Sequence, residues 1–297
     1  MNKFEKLSKI VNKHIAEFTR DEPSIITNAS DFVEDANLFS MYNIDVFSNI
    51  FNSKAPSLKH ERKSLFHYKK FDVAYKFIEE NSITASALSN FKNIKKGDDL
   101  KEYEHFFDVA KIGTEKSFID EQRDSIFVFC LTNNNCTERF WKEYADNEKG
   151  LCLELEIIDN QNTKLGFDLK KICYDDGHEF QFFSDMQNEL HSTFGRYLLA
   201  SRLSNFAVFY KRKTREDGSE GFAWENETRL LLNCKTFEGL SKEFEIINKN
   251  GCKYMKIPFD NPLFSIKIKS VTIGKNLSPA QKQKIEKLLK QKNITIS

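Results

Sequence analysis

The chain has 297 residues, 40% of them hydrophobic, with 45 Lys and Arg against 44 Asp and Glu, 28 Phe, and a formal net charge of +1 at pH 7. That much apolar material builds a core in one large or two small domains and excludes a wholly disordered chain. The near-zero net charge excludes a polyanion binder that works by bulk charge and leaves only local basic patches.

In chain order, Phe4, Leu7, Val11, Ile15 and Phe18 recur at helical spacing with lysines opposite, which predicts an amphipathic helix over residues 3–19. The same segment carries charges throughout, and no apolar run in the chain approaches the roughly 18 residues of a membrane span. A soluble cytoplasmic protein is the expectation. A helical or irregular stretch follows to about residue 52, where NSKAPSLKHERK breaks the pattern with Pro56 and a basic cluster. This places a boundary between an N-terminal helical extension, residues 1–58, and a main domain, residues 59–297.

The main domain opens with SLFHYKK as a strand, Asp72 as N-cap of a helix over VAYKFIEEN, and ITASAL as a second strand. NFKNIKKGDDLKEYEHFFD reads as a polar loop entering a helix. SIFVFCLT, GLCLELEI and KICYDD are strand candidates with turns at NNN and DNEKG. Phe183, Met186, Leu190, Phe194 and Tyr197 predict a long helix that continues or restarts through LSNFAVFYKRK. The charged loop KTREDGSEG leads into FAWENETRLLLN. KYMKIPF and IKSVTIG read as strands, Ser278-Pro279 caps a helix over AQKQKIEKLLKQK, and ITIS is a last strand. Strands scattered among helices without a βαβ rhythm predict an α+β fold.

Six cysteines, Cys130, Cys136, Cys152, Cys173, Cys234 and Cys252, include no C-x-x-C pair, and the six histidines include no i, i+4 pair. Buried thiols of a reducing compartment are expected rather than a disulfide frame or a zinc site. Walker A, G-x-G-x-x-G and G-x-S-x-G motifs are all missing, so P-loop, Rossmann and serine-hydrolase readings have no support.

Four constellations remain. His67, between Phe66 and Tyr68 on a strand, can bond a ligand hydroxyl or be satisfied within the sheet. Tyr68 points to the opposite face, so both serve one site only where the strand edge is open. Glu225, Glu227 and Arg229 at period two concentrate two carboxylates and a guanidinium on one strand face, with Trp224 and Leu230 on the other. A solvated salt-bridged face is the alternative. Trp141 and Tyr144, at i, i+3, either stack on a flat ligand or pack the core. Basic runs at 59–70, 92–96, 211–215 and 282–292 are solvated faces unless several converge, which suits a phosphate-rich partner.

Taken in order, LFHYK, ASALSNFKN, FVFCLT with WKEY, KGLCLEL, FAWENETRLLL and VTIGKNLS resemble a bacterial family known as a domain of unknown function, over residues 64–297. The layout of that family is similar to the ADP-ribosyltransferase superfamily, which includes toxins that modify nucleic acids or proteins. The resemblance implies an ADP-ribosyltransferase-like split, mixed or antiparallel β core with NAD as substrate. It implies His67 on the first core strand holding the NAD ribose, Thr84 or Ser86 near nicotinamide, Glu227 as catalytic glutamate and Glu225 orienting or deprotonating the acceptor. Tyr68, Arg229 and Trp141 would join the cofactor site, Arg229 on the pyrophosphate or on a glutamate. FKNIKKGDD replaces the tighter F-N-D of the family, which leaves the roles of Asn93 and Asp98 open. A carboxylate beside an oxocarbenium-like ribose suits this chemistry.

The function implied is an ADP-ribosyltransferase with a nucleic-acid or protein acceptor, as the toxin of an anti-phage or toxin–antitoxin system. An antitoxin-like partner would restrain it, with the N-terminal helix either one docking element or packed on its own domain. An NAD glycohydrolase, or a binding module without activity, is the alternative.

Overall fold

The structure is a computed structural model. It describes residues 2–18, 27–35, 38–41, 55–59, 61, 63–93, 123–135, 137–160, 166–175, 181–199, 208–214, 218–235 and 239–297. Along the chain it forms α1 (Lys3–Phe18), β1 (Phe32–Asp35), β2 (Leu38–Met41), β3 (Ser64–Lys70), α2 (Phe71–Glu80), β4 (Ser82–Ala87), β5 (Ile126–Thr132) and α3 (Glu138–Glu143). There follow β6 (Gly150–Asp159), β7 (Asp168–Lys171), β8 (Cys173–Tyr174), α4 (Gln181–Phe194), β9 (Tyr197–Leu199), β10 (Tyr210–Lys211) and β11 (Glu227–Asn233). The C-terminal part holds α5 (Leu240–Glu243), β12 (Glu245–Lys249), β13 (Cys252–Pro258), β14 (Phe264–Ile273), α6 (Pro279–Gln291) and β15 (Thr295–Ile296). The fold is α+β with a mixed, mostly antiparallel sheet.

The chain divides into two units. One comprises residues 1–56, 91–123 and 172–224, the other 57–90, 124–171 and 225–297. Where the sequence places one boundary at 58, the chain changes unit five times.

In the first unit α1 packs on α4. The helix pair is tied by Lys13 Nζ and His14 Nε2, each 2.9 Å from Glu189 Oε2. Phe32–Asp35 and Leu38–Met41 form a strand pair where a helical or irregular stretch is expected. β1 pairs β2 antiparallel, and β2 pairs β9 in parallel, so the partner that makes them strands lies far along the chain. The long helix expected through Tyr197 stops at Phe194. Gly195 takes φ +66 and its N–H bonds His191 O at 2.8 Å, a left-handed helix cap that sends Tyr197 into β9 instead.

The second unit is built on a ten-stranded sheet ordered β12-β13-β4-β5-β3-β6-β14-β15, with β11 and then β7 branching from β5. Alternation decides its faces. Leu151, Leu153, Leu155 and Ile157 of β6 join Leu65, Phe127, Phe129, Leu230 and Met255 in one core, closed by Ala74, Phe77 and Ile78 of α2 and Ile285, Leu288 and Leu289 of α6. Ser278 caps α6 as expected, its Oγ accepting from Gln281 N at 3.3 Å. Asp72, expected as N-cap of α2, lies inside the first turn, where its charge still favours the helix dipole.

The sheet splits at β5. One edge of β5 carries β11 along its whole length, Thr132 opposite Glu227 to Ile126 opposite Asn233. The other edge is shared: β4 pairs there only at Val128 and Phe127, and β3 only where Phe66 meets Thr132. Between them Cys130 O accepts not from a strand but from the ring N–H of His67, Nδ1 lying at 2.7 Å. The strands expected at 125–132 and 150–157 appear as β5 and β6 and thus form the middle of the split sheet. The loop and helix expected within 94–122, Asp98 included, lie outside the described residues.

Candidate functional site

Residues paired across neighbouring strands share a face, and a step of one residue reverses it. Phe66, Thr132 and Glu227 form one continuous row across β3, β5 and β11. Tyr68, Cys130, Thr132, Glu227 and Arg229 therefore lie on one face of the sheet, and His67 lies on the other. β3 pairs β6 along its whole length and β5 only at Phe66. The ribose-binding His67 and catalytic Glu227 expected from the resemblance are not brought together. Thr84 and Ser86 do lie on the Glu227 face, since Ser86 pairs Val128 and Val128 pairs Leu231. Across β5 they stand two strands from β11, about 10 Å at ordinary strand spacing.

The imidazole of His67 is a core group. It packs against Phe129 with ring centroids 4.2 Å apart and against Phe77 at 6.0 Å. Burial, and secondarily the charge of Lys69, lower its pKa to about 3 against the opposing bond to Cys130 O. Because a carbonyl only accepts, Nδ1 carries the proton of the neutral ring. Nε2 is then a buried lone pair without a partner among the described residues. Burial likewise pushes down the Lys69 amine.

Glu225 does not share the strand of Glu227. Ala223–Glu225 is a 3-10 turn, Asn226 takes φ +42, and β11 begins only at Glu227. The period-two reading of Glu225, Glu227 and Arg229 fails at that left-handed asparagine. The turn is tied to the loop after β5. Thr132 Oγ1 donates to Glu225 O at 2.6 Å and accepts from Asn134 N at 3.0 Å. Asn133 donates from its backbone to Asn226 O at 3.2 Å and from its side chain to Asn226 O and Thr228 Oγ1 at 3.1 and 3.0 Å. Asn226 Nδ2 donates to Asn134 Oδ1 at 3.2 Å. Short polar side chains that tolerate left-handed backbone make this turn possible.

Its outcome is that the Glu225 carboxylate reaches the C-terminus of α3, where the Tyr144 hydroxyl donates to Oε1. Glu225 is 4% exposed and Tyr144 42%. Glu227 is instead held by Arg229 of its own strand, Nε donating to Oε1 at 2.8 Å and Nη2 to Oε2 at 3.2 Å. Both are almost completely buried. This is a two-point charged pair rather than a solvated face.

The aromatic residues complete the cluster. Tyr68 is stacked on Phe140 at 5.0 Å and edge-on to Trp141 at 5.4 Å, and its hydroxyl donates to Asn134 O at 3.4 Å. Trp141 is buried and packs as core, while one edge of it lines a groove of about 660 Å³ with Glu138, Lys142, Glu148, Thr272 and Asn276. Neither Glu225 nor Glu227 lines that groove.

Of the candidate residues, Tyr68, Trp141, Glu225, Glu227 and Arg229 gather around one end of β3, β5 and β11. Thr84 and Ser86 share the face at a distance, and His67 is sequestered behind it. The basic runs are partly absorbed by packing. Lys284 Nζ sits 4.1 Å from the Tyr75 ring centroid, and Lys292 Nζ donates to Glu79 O at 3.3 Å and Asn81 Oδ1 at 3.0 Å. Thr132, Asn133, Asn134 and Asn226 were not among the expected site residues. The asparagine run and the Asn just before a strand were the available signals.

Among the described residues the cysteines are free thiols, no group of three His, Cys, Asp or Glu is placed to hold a metal, and no helix is long and apolar enough to cross a membrane. No family model, no curated protein and no solved structure matches the chain.

Proposed function

We propose that this chain is an NAD-dependent ADP-ribosyltransferase whose reacting carboxylate is Glu225. The observation that carries the reading is the gathering of two buried carboxylates, one guanidinium and three aromatic rings at one end of a split sheet. Glu227 is already neutralised by the two-point bond to Arg229, which suits a supporting role. Glu225, bonded to a half-exposed tyrosine, is the carboxylate next to solvent-reachable surface. There it would stabilise the positive charge that develops on the ribose as nicotinamide leaves. Nicotinamide is a good leaving group, so the reaction needs no strong general acid. The exposed ring of Tyr144 offers a surface for the cofactor, with Tyr68 and Trp141 packed beneath the cluster, and the acceptor is a nucleic acid or a protein. A toxin role would rest on the same activity.

The test is nicotinamide release from NAD by wild-type protein, Glu225→Gln and Glu227→Gln, with and without RNA, DNA or cell lysate. Release that depends on one acceptor and is lost in Glu225→Gln supports a transferase and names its target class. Acceptor-independent release supports an NAD glycohydrolase. One observation favours a second reading: His67 lies on the far face from Glu227, so the ribose contact expected of an active transferase is missing. NAD left intact under all conditions would replace the enzyme by a binding module built on the same cluster.

A further inference from the structure

The groove of about 660 Å³ beside α3 is not used by the carboxylate cluster, and it has the volume of a small-molecule site. One of its walls is a strained turn. Asp146, Asn147 and Glu148 take φ of 53°, 54° and 64°, three left-handed residues in succession without a glycine. They are held from both sides. Glu148 N–H donates to Trp141 O at 3.3 Å and Lys149 N–H to Asp146 O at 3.2 Å. From the loop after β14, Asn276 N–H donates to Glu148 O at 3.0 Å and Asn276 Nδ2 to Asn147 O at 3.1 Å. Gly274 brings that loop close, since a Cβ there would stand 2.2 Å from Glu148 O. The groove is thus preformed, which spares a ligand the cost of ordering it.

Its polar groups are largely unspent. Trp141 is 7% exposed, and the part left uncovered lines the groove. Its indole N–H donates to no described residue and is not sealed from solvent, whereas a buried tryptophan ordinarily finds an acceptor. Glu138 and Lys142, one turn apart on α3, and the Asn147 side chain also line the groove without a hydrogen bond or ion pair among the described residues. The oxygens of Glu148 are met only at long range, by Lys275 Nζ at 3.4 Å and Asn276 Nδ2 at 3.5 Å, which leaves them acceptor capacity. Two glutamates stand against two lysines, so the groove favours neither an anion nor a cation.

We propose that this groove binds a neutral sugar ring through its vicinal hydroxyls, a property that goes beyond the transferase reading. The paired oxygens of the Glu148 carboxylate accept from two neighbouring hydroxyls, while the indole N–H, Lys142 and Asn147 donate to hydroxyl and ring oxygens. A hydroxyl donates and accepts at once, so a row of them meets carboxylates and ammonium groups side by side without carrying charge. The C–H surface of the ring rests on Ile273 and the indole edge. A pyranose and the ribose of a nucleoside present this same chemistry.

The chain has two tryptophans, so indole N–H spectra of the full-length protein hold one Trp141 and one Trp224 signal, told apart with Trp224→Phe. Ribose, adenosine, 2′-deoxyadenosine, methyl α-mannopyranoside and inorganic phosphate are titrated in separately. The Trp141 signal is expected to move downfield and saturate at on the order of millimolar sugar, the affinity of a ligand of few atoms, while Trp224 stays in place. Saturation by ribose and adenosine supports the proposal with a nucleoside as source; saturation by the mannoside supports it with a carbohydrate. Glu148→Gln keeps the shape but removes the charged acceptor, and should raise the half-saturation concentration by about tenfold at an unchanged melting temperature. Lys142→Met, at an exposed helix position, should raise it by a smaller factor and keeps the comparison valid where Glu148→Gln loses stability. A Trp141 signal that no sugar moves overturns the proposal. So do equal responses to adenosine and 2′-deoxyadenosine, which lacks the vicinal diol, a response to phosphate alone, or variants that bind as the wild type does. Because binding is read directly, failure here leaves the transferase reading standing, and a chain that releases no nicotinamide leaves this site standing.

Discussion

Glu227 and Arg229 each carry a charge into a buried strand face, where each compensates the other through a two-point bond. Removing one partner leaves an uncompensated buried ion, so Arg229→Met should destabilise the protein by about 3–5 kcal/mol in urea denaturation. The double variant Glu227→Met with Arg229→Met should lose clearly less than the sum of the two single changes. Additive losses would show that the two side chains act independently. His67 makes a different kind of prediction. In the unfolded chain its imidazole titrates near 6.5, and in the folded core near 3, so the unfolded state takes up the proton first as the pH falls. The stability that depends on neutral His67 is complete above about pH 6.5 and declines towards pH 3, with a slope approaching 1.4 kcal/mol per pH unit. His67→Phe should remove that part of the decline when denaturation midpoints are compared at pH 7 and pH 4.5. An unchanged slope would mean the ring is not sealed in the core. These residue types were visible in the sequence. Their partners were not, because a strand residue reveals its spacing to its neighbours but not which neighbour strand lies beside it.

Elements with their own local signals came through with little change. α6 carries its N-cap and first-turn proline in the adjacent residues Ser278 and Pro279, and Ser278→Ala should cost about 1 kcal/mol of thermal stability through loss of the cap. Elements whose ends depend on distant contacts did not. α4 is amphipathic enough to suggest a longer run, yet Gly195 ends it with a backbone conformation that few other residues adopt. Gly274, just after β14, is a site of close approach. A Cβ there would lie 2.2 Å from Glu148 O, so Gly274→Ala should cost more than Ser278→Ala in the same thermal unfolding experiment. An equal or smaller loss would mean that the loop at Glu148 can retreat freely. The turn at Asn226 belongs to this second group. Read as strand, ENETR puts three charges on one face; the left-handed Asn226 instead detaches Glu225 and turns it towards α3.

At the scale of the molecule, the N-terminal segment is part of a folded unit rather than an appendage. Phe39 of β2 packs against Phe194 of α4 at 5.3 Å, and Lys13 and His14 of α1 bond Glu189 of the same helix. A chain beginning at Ser57 would expose the apolar face of α4, with Met186 and Leu190, and leave β9 without its partner. Such a truncation should aggregate or elute as a mixture in size-exclusion chromatography. A monodisperse, cooperatively folding product would show that the segment is dispensable. The sequence alone determined the α+β class, the strand–helix–strand opening of the second unit and the capped last helix, since these follow from spacing, propensity and caps within a few residues. Only the tertiary structure decided that β5 is shared between β3 and β4, that His67 faces the core while Glu227 faces the cluster, and that Tyr144 meets Glu225. Each of these depends on register between segments far apart in the chain, and a shift of one residue in register exchanges the two faces of a strand.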